Sequence, residues 1–104
     1  MNWQVYIIRC SDNSLYTGIT TDIEKRFLQH QDGTGAKYFR GRIPLEVVYA
    51  EKNHTRSTAS KRELQIKSMS RTVKEQLVIT QRIIRSKLCQ SPDFPSPINM
   101  TMLP

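Results

Sequence analysis

Two short β-branched and aromatic runs near the N-terminus, separated by turn-forming residues, constrain the fold more than any other feature. The runs span residues 3–9 and 15–19, and the Ser-Asp-Asn-Ser sequence of residues 11–14 favours a turn between them. This pattern predicts a β-hairpin. Its two adjacent strands carry Tyr6 and Tyr16.

The length of the hairpin loop decides whether the two tyrosines share a face of the sheet. Side chains alternate between the faces of a strand, so a regular even loop that pairs Cys10 with Leu15 would separate the two phenols. An odd count or a bulge would bring them to one face. If Tyr6 and Tyr16 belong to one site, the loop is therefore odd or bulged.

A helix is predicted directly after the hairpin. Residues 21–24 have the Thr-x-x-Glu form of a capping box, which starts helices, and Gly33 ends the pattern. Arg26 and His30 are four residues apart and therefore lie on one face of this helix. Two phenols, a guanidinium and an imidazole are thus able to converge.

A loop and a third strand follow. Residues 36–42 interleave cations with aromatic residues, a mixture that can grip phosphates and stack on bases. Residues 45–50 form a β-rich run, and Pro44 stands at its entry, where a missing N–H does least harm.

Two further helices are predicted after the third strand. Ser57 can cap a helix from about residue 58 to residue 68, and Ser70 or Thr72 can start another. The apolar periodicity of the last helix places three side chains toward the core: Leu77, Val78 and Ile84.

The predicted fold is of the α+β class, with a three-stranded antiparallel sheet flanked by three helices in the order ββαβαα. The chain has 104 residues, which is enough for one small domain, assigned to residues 1–88. Proline-rich residues 89–104 are predicted to form an extended, weakly ordered tail.

Charge and composition indicate a polyanionic partner in the cytoplasm. The net charge of +7 favours nucleic acid over a membrane, because no long basic amphipathic helix with an aromatic face is evident. The two cysteines match no metal or redox spacing, which favours reduced thiols. No secretory signal pattern or apolar membrane span is found, so a soluble cytoplasmic protein is expected.

Glu63 is the residue on which a metal site would depend. On an ideal helix it lies within about 60° of both Ala59 and Ile66, at the edge of the apolar stripe. A hard divalent cation commonly takes one or two protein carboxylates and leaves its other positions to water and phosphate. A single glutamate is therefore chemically sufficient.

These residues resemble the GIY-YIG nuclease superfamily, in particular its small stand-alone bacterial members. The resemblance covers roughly residues 3 to 80 and rests on the following positions: Val5-Tyr6-Ile7, Leu15-Tyr16-Thr17-Gly18-Ile19-Thr20, Arg26, His30 and Glu63. It implies a GIY-YIG-like fold and a metal-dependent endonuclease acting on DNA, structure-directed and connected with DNA repair or recombination. A protein partner that supplies specificity is compatible with this.

The resemblance also implies a role for each residue. Tyr16 maps to the proposed base, Tyr6 holds the hydrogen-bond network, and Glu63 binds Mg²⁺ or Mn²⁺. Arg26 stabilises charge on the phosphate, and His30 assists proton transfer or contacts phosphate. Three cations of the loop are candidate DNA contacts: Lys37, Arg40 and Arg42.

The chain also departs from the family pattern, and two other function classes remain open. Val5 and Thr17 replace glycine and isoleucine of the family name, and Ile19 stands where many members carry a lysine. Taken singly, the site residues have ordinary interpretations, including an ion pair between Glu63 and Lys67. The alternatives to an enzyme are a non-catalytic nucleic-acid-binding module and an adaptor in a repair complex.

Overall fold

The computed structural model describes residues 2–33, 39 and 41–89, with side chains through Ser86. The elements are β1 Trp3–Cys10, β2 Leu15–Thr20, α1 Ile23–Gln31, β3 Pro44–His54, α2 Arg56–Lys67 and α3 Arg71–Cys89. The three strands form one antiparallel sheet in the order β2-β1-β3. The predicted α+β class and the order ββαβαα are confirmed.

The hairpin loop has the odd length that a shared tyrosine face requires. The Cys10 N–H donates to the Ser14 carbonyl at 3.0 Å, so three residues lie between the two bonded positions. Tyr6 pairs with Gly18, and Tyr16 lies two residues from Gly18 on the same strand. Both phenols therefore face one side of the sheet, and the register prediction is confirmed.

The helices cover opposite faces of the sheet. Phe27 of α1 packs on the face that carries the two tyrosines. Ile66 of α2 and Val78 of α3 are buried on the other face. β2 is an edge strand, so side chains from α1 and α2 can meet around its free edge.

The helix caps differ from the predicted ones. Asp22, not Thr21, caps α1, and its carboxylate accepts the Lys25 N–H at 3.1 Å. Thr55 replaces the predicted Ser57 as the cap of α2 and forms a capping box with Thr58. The third strand extends four residues beyond the predicted end and reaches His54.

The prediction that Ile84 lies in the core is wrong. Val78 is 2% exposed, whereas Ile84 is 52% exposed. A 19-residue helix such as α3 is about 28 Å long. The helical turn that carries Val78 packs on the sheet, whereas residues 82–86, further along the helix, are exposed.

The predicted boundary between a domain and a tail lies at the limit of the described residues. α3 continues to Cys89, one residue past the predicted domain end. Residues 90–104, which make up nearly all of the predicted tail, lie outside the described residues. The tail therefore stays a prediction.

Candidate active site

A buried pair formed by Tyr6 and His30 lies at the centre of the candidate site. The Tyr6 hydroxyl and His30 Nε2 are 2.9 Å apart, and the two side chains are 1% and 2% exposed. The phenol can donate to Nε2 when the imidazole carries its proton on Nδ1. This bond connects the central strand to α1 over the edge strand.

Gly18 makes room for this arrangement. A Cβ atom added to Gly18 would lie 2.6 Å from the Tyr6 hydroxyl oxygen and 2.7 Å from Tyr6 Cζ. The Tyr6 ring therefore crosses directly over the backbone of the edge strand. The requirement for glycine in the Tyr16-Thr17-Gly18 sequence is steric.

Phe39 closes the aromatic side of the site. Its ring centroid lies 4.4 Å from that of His30 and 4.8 Å from that of Tyr16. The side chain is 8% exposed, so its ring is packed within the protein. The expectation that this aromatic residue of the loop stacks on bases is wrong for Phe39.

Burial and neighbouring charges set the pKa values of the two phenols. Burial, followed by the nearby Tyr16, raises the pKa of Tyr6 far above its usual range, and Arg26 opposes this in part. Burial also raises the pKa of Tyr16, against the lowering effect of Lys67 and Arg26, while Glu63 adds to the rise. Both phenols are therefore protonated at neutral pH.

His30 is a neutral imidazole. Burial, with a smaller contribution from Arg26, lowers the pKa of His30 to about 4. At neutral pH the side chain can accept or pass on a proton but carries no charge. It is therefore suited to hydrogen bonding and proton relay rather than to holding phosphate by charge.

We expect the free energy of unfolding to depend on pH through His30. The folded protein keeps this imidazole neutral down to about pH 4, whereas the unfolded chain protonates it near pH 6.5. Acidification through this interval therefore favours the unfolded state, by up to about 3 kcal/mol in total. Urea denaturation at a series of pH values measures the fall.

His30→Gln provides the comparison for this prediction. Glutamine can still bond to the Tyr6 hydroxyl but does not titrate, so the fall in stability between about pH 6.5 and pH 5 should flatten. A fall of the same size in the variant would mean that His30 is not its source.

Glu63 is the candidate metal ligand, and its charge acts on both phenols. Its side chain is 21% exposed, and its Oε2 lies 3.3 Å from Lys67 Nζ, so the ion pair offered as the ordinary interpretation is present. Among the described residues no group of three or more His, Cys, Asp and Glu side chains could hold a metal. A divalent ion would therefore depend on Glu63, with water and phosphate completing its shell. A half-buried carboxylate whose charge reaches both phenols fits such an ion.

The structure brings the five residues of the family pattern together but separates part of the basic loop from them. Arg26 and Glu63 act electrostatically on both phenols, and His30 bonds to Tyr6. Arg42 instead forms an ion pair with Asp12 at 2.9 Å.

The other two predicted DNA contacts, Lys37 and Arg40, lie outside the described residues.

The position after Gly18 faces away from the phenols. Ile19 packs against the core beneath α2 and α3, so a lysine there would enter an apolar layer. The cation with the larger effect on Tyr16 is Lys67, at the C-terminal end of α2. The sequence motifs did not identify Lys67 as a site residue, although its four-residue spacing from Glu63 indicated that the two side chains are neighbours on α2.

No described helix combines the length and the apolar character needed to cross a membrane.

Comparisons with known proteins show which family the chain resembles in sequence. Residues 2–76 match the GIY-YIG catalytic domain. A UPF0213 protein of Natronomonas pharaonis is 51% identical over 74 residues, which cover 71% of this chain and 87% of the relative. A UPF0213 protein of Cronobacter sakazakii is 51% identical over 76 residues, which cover 73% of this chain and 80% of the relative.

Two solved structures are also similar. The solution NMR structure of a UPF0213 protein from Bacillus halodurans has 40% sequence identity and a TM-score of 0.52, covering 88% of this chain and 100% of that chain. The solution NMR structure of a protein from E. faecalis has 41% identity and a TM-score of 0.53, covering 77% of this chain and 85% of that chain. With this match in sequence and fold, the chain belongs to the GIY-YIG family, as a relative of the UPF0213 proteins.

Proposed function

We propose that the protein is a metal-dependent endonuclease that hydrolyses DNA phosphodiester bonds. The observation that carries the proposal is the meeting of two phenols, an imidazole, a guanidinium and a carboxylate at one edge of the sheet. Membership in a family of catalytic domains supports this assignment of the site.

The reaction requires a proton acceptor for the attacking water. A water oxygen bonds to phosphorus while the bond from phosphorus to the leaving deoxyribose oxygen breaks, and the water proton must be taken up. Tyr16 is assigned this task in its deprotonated form, the minor form at neutral pH, because it is the less buried of the two phenols and because Lys67 and Arg26 oppose the rise in its pKa that burial causes. Positive charge near its hydroxyl makes the deprotonated form less costly.

Tyr6 and His30 hold the surroundings of the Tyr16 phenol in place. Both are almost fully buried and bonded to each other, and Phe39 packs on His30 and on Tyr16. His30 is neutral, so it can pass a proton between the buried phenol and the site without carrying a buried charge. The pair fixes the geometry of the site.

Arg26 and Glu63 complete the charges of the proposed site. Arg26 stabilises the charge that accumulates on the phosphate oxygens, as a guanidinium with several donors does well. Glu63 would hold Mg²⁺ or Mn²⁺, which polarises the phosphate and neutralises developing charge when bound. One carboxylate with water and substrate oxygens is a usual coordination for such an ion.

The proposed substrate is DNA rather than RNA, and the proposed selectivity is for structure rather than sequence. The net charge of +7 supports a polyanionic substrate, and Lys37, Arg40 and Arg42 remain proposed contacts in addition to the site. The setting proposed is DNA repair or recombination in the cytoplasm. A protein partner that directs the enzyme is part of this proposal.

A second candidate is a nucleic-acid-binding module that keeps the fold without turnover. It is favoured by the raised pKa of Tyr16, which burial shifts away from that of an effective base. An adaptor in a repair complex would need neither cleavage nor DNA affinity.

Incubation with defined DNA substrates tests the proposal. The purified protein is incubated with branched, flapped, nicked and single-stranded DNA in Mg²⁺, in Mn²⁺ and in EDTA. We expect cleavage that requires the metal, with a preference among these structures. Salt-sensitive binding without cleavage of any substrate would contradict the endonuclease and favour the binding module, and absence of both would favour the adaptor.

A further inference from the structure

Lys67 stands at the candidate site without belonging to any motif of the sequence. It ends α2, one turn after Glu63, and its Nζ lies 3.3 Å from the Glu63 carboxylate. The preceding Ile66 is fully buried and anchors this turn on the sheet. Lys67 itself is 49% exposed, so its ammonium remains accessible to a ligand from solvent.

Lys67 and Arg26 belong to helices on opposite faces of the sheet, and both act electrostatically on Tyr16. Arg26 belongs to α1, which covers the tyrosine face, and Lys67 belongs to α2, which covers the other face. Lys67 acts more strongly than Arg26 on the Tyr16 phenol. The two helices therefore place one cation each around the group assigned as base, at the exposed edge of β2.

Lys67 also differs from the other cations that form ion pairs, because its partner carboxylate is Glu63. Four arginines are held by carboxylates other than Glu63: Arg9, Arg42, Arg62 and Arg71. The partner of Lys67 is the carboxylate proposed to bind the metal ion. A divalent cation at Glu63 would compete with the ammonium for the same oxygens and weaken this ion pair.

We propose that Lys67 is a substrate-binding residue, the cation that takes the DNA phosphate beside the Tyr16 hydroxyl. Its ammonium has three N–H donors, so it can bind a phosphate oxygen while it stays paired with Glu63, and a metal ion on the carboxylate would free it further. The strand position after Gly18 cannot serve this purpose, because Ile19 faces the core. The helix supplies the cation instead. This inference rests on the proposed nuclease function and adds a residue to its site.

A pair of matched variants tests the role of Lys67. Lys67→Met removes the ammonium and keeps an unbranched side chain, and Lys61→Met removes the same charge from the exposed surface of the same helix. Lys61 makes no ion pair with another described residue and does not act on Tyr16. Lys67→Arg keeps the charge and serves as the conservative variant.

DNA affinity in EDTA is measured first, as a function of salt and therefore without turnover. We expect Lys67→Met to weaken binding to nicked duplex by about tenfold and to reduce the salt slope by about 0.9, the value for one duplex phosphate contact. Lys61→Met should change affinity by less than about twofold, and Lys67→Arg should retain most of it. Equal affinity and slope for Lys67→Met and Lys61→Met would overturn the proposal.

Mn²⁺ affinity, measured by calorimetry, separates phosphate binding from a counter-ion role. If Lys67→Met binds Mn²⁺ more tightly but binds DNA as Lys61→Met does, Lys67 only neutralises Glu63 and the proposal fails. Cleavage separates the proposal from the nuclease assignment. A wild-type protein that cuts no DNA, with affinity lost only in Lys67→Met, contradicts the nuclease and supports the contact. A wild-type protein that cuts, with equal rates and affinities in both variants, supports the nuclease and overturns the contact.

Discussion

Glu63→Gln is expected to abolish metal-dependent cleavage while leaving the fold intact and without weakening the affinity for DNA. Glutamine keeps the size of the side chain but removes the negative charge that a hard divalent cation requires. A bound metal contributes several kcal/mol of charge stabilisation in the transition state, so we expect a loss in rate on the order of a thousandfold. Single-turnover cleavage rates in Mg²⁺ and Mn²⁺ measure the loss, and circular dichroism checks the fold.

Two further variants make this result specific. Glu46→Gln removes the same charge from an exposed position on β3 and should cut DNA at nearly the wild-type rate. Tyr16→Phe should lose cleavage but keep its affinity for Mn²⁺, because only the hydroxyl assigned to the water proton is removed. DNA affinity without metal should rise slightly in Glu63→Gln, since a negative charge near the phosphate is gone. Cleavage at a comparable rate by Glu63→Gln would mean that the role given to this carboxylate is wrong.

Local rules were sufficient to predict the frame of the site. Because side chains alternate along each strand, whether Tyr6 and Tyr16 share a face depends on whether the loop between the strands has an odd or an even number of residues. The loop is odd, as a shared face requires. Four-residue spacing placed Arg26 and His30 on one helical face, and the buried edge of α2 pointed to Glu63. Each of these inferences depends on only one or two neighbouring elements.

The residues that the sequence did not reveal depend on contacts between distant segments. Phe39 becomes part of the site only because it packs on His30 and on Tyr16. Lys67 acts on Tyr16 only because α2 covers the far face of the sheet beside an edge strand. The four-residue spacing between Lys67 and Glu63 is visible in the sequence, but neither Phe39 nor Lys67 has a spacing signal that relates it to Tyr16.

The lysine that the family pattern expects on β2 also shows what a sequence pattern cannot reveal. Comparison with the family pattern identified Ile19 as the place where a lysine is absent, but could not show which way that side chain points. Because Ile19 lies partly buried against the core, on the face opposite the phenols, Ile19→Lys would lay its stem on apolar residues and would not restore a cation on the tyrosine face. The positive charge that many family members carry at the position of Ile19 can therefore come from another position, and Lys67 is the residue of this chain that can supply it.

Gly18→Ala is expected to produce the largest loss of stability of any single methyl addition in the site. The new Cβ would lie 2.6 Å from the Tyr6 hydroxyl oxygen and 2.7 Å from Tyr6 Cζ, so the buried ring must move. Overpacking of this kind costs about 1–3 kcal/mol, and breaking the bond between Tyr6 and His30 adds about 1–3 kcal/mol. Urea denaturation measures the change, and cleavage should fall with it because Tyr6 and His30 are displaced.

A double-mutant cycle with Tyr6→Leu identifies the cause of this loss. Leucine keeps an apolar side chain but has no atoms in the place of the hydroxyl and Cζ, so the closest remaining neighbour of the alanine Cβ is Tyr16 Cε2 at 3.1 Å, which a shift of a few tenths of an ångström in that ring relieves. In that background Gly18→Ala should be neutral, or should stabilise by about 0.5–1 kcal/mol, because alanine loses less backbone entropy than glycine in a strand. The coupling energy between the two positions is then at least about 2 kcal/mol, as contacting residues show. An equal cost of Gly18→Ala in both backgrounds would mean that the strand requires glycine for a reason other than the passage of the Tyr6 ring.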